Sequence, residues 1–145
     1  MSLGLQAWGT LRLGLLLAFG GLLPAQSFLA VLRAEHNPTK RSDMALAFAE
    51  EAFDHARDLY GKQEVHGGDA QLENMTNALK ECATSLQQAH KSRYYKKAEL
   101  RVAYLQRRLN SLVDTLGVEE RGWAEFTGRK LEEIHDKLLT GAMSK

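Results

Sequence analysis

Few side chains in this sequence stand at spacings that chemistry demands. Glu132 and His135 make one E-x-x-H step. Carboxylate-bridged di-iron bundles use that step twice, with two further glutamates, because each iron needs an imidazole and bridging carboxylate oxygens. Here it occurs once, and Glu51 and His55 are separated by four residues rather than three. They read as exposed helix polar residues, and no metal ligands are assigned. A second constellation pairs Met44 with His135. Exported b-type cytochromes built as four-helix bundles hold haem between a methionine early in the first helix and a histidine late in the last, and these two residues occupy those places. Covalent haem is excluded, since no C-x-x-C-H occurs.

For catalysis nothing converges. There is no G-x-S-x-G, no H-E-x-x-H, and no glycine loop carrying the lysine and hydroxyl of a phosphate-binding motif, so no catalytic residue is assigned. Cys82 is the only cysteine, which rules out an intrachain disulfide; its place between Leu79 and Leu86 on an apolar seam favours a buried thiol over a crosslink between chains. Asn74-Met75-Thr76 matches a glycosylation pattern but falls inside a helix beside that seam, so it is read as chance. Basic residues are the densest feature. Arg93, Lys96, Lys97, Arg101, Arg107 and Arg108, with Tyr94 and Tyr95 among them, could hold anionic headgroups, cell-wall polymers or an acidic protein face, or could be a solvated helix face paired in part with the first helix.

These residues must be positioned by helices. Leu72, Met75, Leu79, Cys82, Leu86 and Ala89 step by three and four, as do Tyr95, Ala98, Val102, Leu105, Leu109, Leu112 and Leu116. The two runs are out of phase, so the chain turns near Lys91, with Ser92 as N-cap of the second helix. The expectation is an all-α, antiparallel up-down four-helix bundle with helices at about 42–60, 69–90, 93–116 and 119–140. Ser42 or Thr39 would cap the first helix, lined by Met44, Phe48, Ala52, Ala56, Leu59 and Tyr60, and widened by Ala45, Ala49 and Phe53. Three glycines make 61–68 the longest loop, Asp69 caps the next helix, and Gly117 closes the third in a left-handed conformation. The last helix would line its seam with Trp123, Phe126, Thr127, Leu131, Ile134 and Leu138. From Glu35 to Glu73 there are nine acidic and four basic residues, against two acidic and eight basic from Lys80 to Leu112, so opposite charges can face across the bundle.

The start of the chain reads as an export signal. Arg12 precedes an eleven-residue apolar core, Leu13 to Leu23; Pro24 breaks it and Ala25-Gln26-Ser27 supplies small residues for cleavage after Ser27. The competing reading is an uncleaved anchor, because Leu13 to Leu32 is twenty uncharged residues, just enough to span a bilayer. Residues 28–41 would then link this segment to the bundle. The net charge of +1 gives no global bias toward nucleic acid, and export makes nucleic acid an unlikely partner.

The segment Tyr95-Lys96-Lys97-Ala98-Glu99-Leu100, with Arg107-Arg108-Leu109 and the tail Glu133 to Leu139, resembles parts of short exported proteins of unknown function in environmental bacteria. The likeness covers roughly the C-terminal half, implies an envelope location, and carries no site residues across. The leading expectation is a non-enzymatic envelope bundle without cofactor that binds another protein or its own copy, with membrane or cell-wall surface contact as an option. The alternative is a periplasmic electron-transfer bundle with haem on Met44 and His135.

Overall fold

The computed structural model describes residues 25–144. Among them there are five helices and no strand: α1 (Ala25–Ala34), α2 (Pro38–Gly61), α3 (Val65–Ala89), α4 (Ser92–Thr115) and α5 (Gly122–Met143). The all-α bundle expected from the two seams is therefore present, formed by α2 to α5 within the unit Leu32–Lys145. The apolar core of the expected signal, Leu13 to Leu23, lies outside the described residues. Its cleavage site at Ser27 falls inside α1, and the expected linker 28–41 is non-helical only at 35–37.

Asn37, not Ser42 or Thr39, caps α2. Its side-chain oxygen accepts from the backbone N–H groups of Thr39 and Lys40, at 3.0 and 3.3 Å. Pro38 occupies the first turn, where its missing N–H costs nothing and its fixed φ suits a helix. Ser42 is buried and donates to the Thr39 carbonyl instead.

The glycines of 61–68 do not make a long loop. Only 62–64 are non-helical, and the left-handed turn residue is Gln63, at φ 63°. Gly67 and Gly68 lie within α3 because side chains of α2 need their space. A Cβ on Gly68 would stand 2.8 Å from the Tyr60 ring, and one on Gly67 3.3 Å from Leu59. The Tyr60 hydroxyl then donates to Asp69, which sits within α3 rather than capping it. Likewise the left-handed residue after α3 is His90, at φ 53°, while no described glycine has positive φ; α4 ends at Thr115 ahead of an extended Leu116, so Gly117 is not its left-handed closure. Lys91 holds the N-cap position of α4, Ser92 is the first helical residue, and neither side chain makes a capping bond.

Helix α2 buries Ala45, Ala49, Ala52 and Ala56 at four- and three-residue steps, none more than 2 % exposed. Small side chains let two helix backbones approach closely, and α2 and α3 share the most extensive interface of the bundle. Its buried stripe is thus centred on alanines with Leu46, Phe53 and Tyr60, while Met44, Phe48 and Leu59 are only half-buried. Helix α3 opposes it with Leu72, Met75, Leu79, Cys82 and Leu86, as the seam requires. The second hairpin packs Ala98, Val102, Leu105, Leu109 and Leu112 of α4 against Ala124, Leu131, Ile134 and Leu138 of α5. Chain direction reverses at each link, and the hairpins stack with α3 along α5 and α2 along α4.

Gly68→Ala would push a methyl group into the Tyr60 ring and is expected to destabilise by about 1–3 kcal/mol. Gly117→Ala, where a Cβ meets nothing within 4 Å, is expected to be neutral. Thermal unfolding of both variants checks this, and equal melting temperatures would show that Tyr60 does not need the space.

Candidate functional site

The one buried carboxylate of the described residues lies between α4 and α5. Glu99 is 7 % exposed, and its Oε1 is 2.8 Å from Nε2 of His135. An ionised carboxylate can only accept, so Nε2 carries the proton. The Lys96 ammonium lies 3.4 Å from the other oxygen, Oε2, which is buried without a hydrogen bond. The bond from His135, helped by Lys96, holds the Glu99 carboxyl below the usual carboxylate range against the opposing effect of desolvation. The side chains come together because Glu99 follows Ala98 on the buried flank of α4, and His135 follows Ile134 on α5, with the helices antiparallel.

This arrangement bears on the spacings singled out above. Glu132 lines an open groove of about 460 Å³ between α4 and α5, with Gln106, Asn110, Glu125 and Arg129, while His135, three residues on, is tied to Glu99. Glu51 and His55 are both exposed on α2. Among the described residues, no three His, Cys, Asp or Glu side chains gather as metal ligands would. Met44 is half-buried on α2, and His135 is on α5; these helices share no substantial interface. A haem iron on His135 would have to break the bond to Glu99 and leave that carboxylate buried beside Lys96 alone.

The basic residues along α4 are sorted by the fold. Lys97 pairs with Asp43 at 3.2 Å, Arg101 with Glu50 at 2.7 Å and Arg108 with Asp54 at 2.6 Å. Both sets of numbers rise together, so α2 and α4 run parallel where they meet. Arg108 also lies over the Phe53 ring, 4.5 Å from its centre. Arg107 stacks over Tyr104, and Arg93 over Tyr94. The expected pairing of the patch with the first helix is thus observed for Lys97, Arg101 and Arg108, with Arg93 and Arg107 outside it.

Three further features concern reactivity, modification and recognition. Cys82 is fully buried, and burial pushes its thiol up to about 12, so the nucleophilic thiolate is scarce at neutral pH. Thr76 is buried, its hydroxyl donating to the Leu72 carbonyl, which leaves the Asn74 sequon closed within α3. Trp123 and Phe126, expected in the seam of the last helix, are instead 39 % and 38 % exposed, with ring centres 5.2 Å apart. Ala124, three residues before the buried Thr127, takes the seam position instead. Sequence periodicity missed this, since tryptophan, alanine and phenylalanine at 123, 124 and 126 fit two adjacent stripes equally well.

No protein-family model, curated protein or solved structure matches the chain.

The depressed Glu99 pKa gives a signed pH dependence. Stabilisation from the ionised carboxylate is full above its unfolded value and is lost as pH falls through the lower folded value. Glu99→Gln is therefore expected to cost about 1–2 kcal/mol at neutral pH and to flatten the loss of stability in acid. Denaturant unfolding across the acid range checks it; parallel curves for wild type and variant would contradict the role assigned to the pair.

Proposed function

We propose that this chain is a small exported bundle of the bacterial envelope that works through its helix faces, binding another protein or a second copy, and that it catalyses no reaction. The observation that carries the reading is the adjacent, exposed pair Trp123 and Phe126 on α5, flanked by Arg129 and Lys130 within 5.7 Å of the Phe126 ring. Large rings left outside a core that is otherwise filled are the usual anchors of protein interfaces, and aromatic and arginine side chains dominate such anchors. On α4, Leu100 and Tyr104 add a second exposed apolar strip. The polar groups that looked chemical in the sequence are taken up by the fold: His135 by Glu99, and Arg101 and Arg108 by α2. Export is supported by the uncharged run Leu13 to Leu32 and the small residues at Ala25 and Ser27.

The test is the intact mass and visible spectrum of protein purified from an exporting bacterium without reductant. A colourless chain beginning at Phe28, monomeric by mass because Cys82 is buried, is the expected result. A Soret band lost on His135→Ala would overturn the reading in favour of a haem bundle, and a cytoplasmic chain retaining Met1 would overturn export. Trp123→Ala with Phe126→Ala is expected to abolish the protein's association with its partner or copy at unchanged helicity.

A further inference from the structure

The link between the two hairpins is built against its own sequence. Neither glycine nor proline occurs between Gly68 and Gly117, whereas the other links of the bundle carry Pro38, Gly61 or Gly117. Two residues make the turn, left-handed His90, at φ 53°, and extended Lys91. A side chain with a Cβ is costly in the left-handed region, where a helix usually closes on glycine. The helix ends on either side are also poorly served. No side chain caps the first turn of α4, and no basic residue stands in the last turn of α3. Lys91 and Arg93 instead put cations, and no acid, at the positive end of the α4 dipole.

All three faults disappear when 90 and 91 become helical. The last carbonyls of α3 then accept from the first N–H groups of α4, His90 leaves the left-handed region, and the cations stand in mid-helix. The rest of the bundle permits the change. Its two most extensive interfaces, α2 with α3 and α4 with α5, each lie within one hairpin, while α3 and α4 share only a small one. Joining α3 to α4 therefore parts the hairpins without disturbing either. What is lost is the contact of α3 with α5 and of α2 with α4, including the pairs Lys97–Asp43, Arg101–Glu50 and Arg108–Asp54. A second copy opened in the same way offers the same surfaces in the same antiparallel sense, so these contacts re-form between chains. Along a continuous helix the seams of α3 and α4 differ in phase by about a third of a turn. The joined helix thus serves two separate four-helix units rather than one longer seam. Short, strained hinge loops are the usual route to such exchange.

We propose that the His90–Lys91 turn is a hinge at which two copies exchange their second hairpins, giving a dimer of two four-helix units in equilibrium with the closed chain. The inference goes beyond the envelope reading, since its partner is a second copy and it needs neither export nor the Trp123 face.

The test is the native mass of the full chain over a concentration series, at about 0.3 M salt so that the cations of the two hinges are screened from each other. A dimer that grows with concentration is expected. His90→Gly relieves the left-handed residue and should lower the dimerisation constant about tenfold, because each dimer opens two hinges. Lys91→Ser supplies the missing cap and should act in the same direction, whereas His90→Ala should raise the constant. A second measurement separates exchange from association through an outer face. Glu50→Lys with Asp54→Lys, and in another sample Arg101→Glu with Arg108→Glu, set like charges against each other within a closed chain. When the two samples are mixed, exchange restores opposite charges in both units, so mixed dimers should exceed either self-dimer. A monomer at every concentration even for His90→Ala, or a dimer indifferent to all three hinge substitutions, overturns the proposal. So does a dimer with no preference for mixed pairs. Any of these results leaves the envelope reading standing, because that reading is tested by the processed chain and its spectrum.

Discussion

Ala45, Ala49, Ala52 and Ala56 bring α2 against α3, and the remaining packing relations follow from that proximity. Where two helices meet through methyl groups, their backbones are close and little side-chain volume lies between them. Gly67 and Gly68 extend the same approach to the end of the pair, where Leu59 and Tyr60 lie over the bare backbone. The alanines themselves supply little of the core volume. The bulk comes from the large side chains of both hairpins, Leu46, Phe53, Leu72, Leu79 and Leu86 in the first and Leu105, Leu109, Leu131 and Leu138 in the second, all fully buried and each contributing about 1.5–3 kcal/mol from burial.

How the second hairpin is laid on the first is a matter of charge as well as volume. Apolar seams alone allow α4 to lie against either helix of the first hairpin. The parallel alignment of α2 with α4 puts Asp43, Glu50 and Asp54 opposite Lys97, Arg101 and Arg108. Each half-exposed pair contributes about 0–1 kcal/mol, so their weight lies in choosing one arrangement over its mirror rather than in total stability. Glu99 and His135 act similarly inside the second hairpin. A buried carboxylate tolerates only the register of α4 on α5 that supplies a donor, and slippage by one turn would leave it unpaired.

Much of this was legible in the sequence. The seams of α3 and α4 are made of large aliphatic residues at strict spacing, and the structure buries their central members without exception. The change of phase at Lys91 locates the turn to within a residue. Glycine was misleading, because its absence of a Cβ serves two purposes that sequence does not separate: left-handed turns, and close approach of a neighbour. Gln63 and His90 took the first purpose, leaving Gly67 and Gly68 for the second. On α2 the alanines carry the seam, and a hydropathy reading weights Met44 and Phe48 above them. The Glu99–His135 pair was not visible either: its members are 36 residues apart, and only the antiparallel pairing of α4 with α5 brings them together. Partition of the basic residues between ion pairs and the free turn likewise depends on which helix lies beside α4.

The close approach of α2 and α3 is tested most directly by making one of its small residues large. Ala49→Leu adds apolar surface to a buried position, so burial alone would make the protein more stable. If the backbones are as near as the alanine stripe allows, the added methyl groups have no space, and calorimetric unfolding should show a loss of about 1–3 kcal/mol. A variant as stable as the wild type, or more so, would mean that α2 and α3 are held apart by other side chains, and the account of this bundle would have to begin from a different interface.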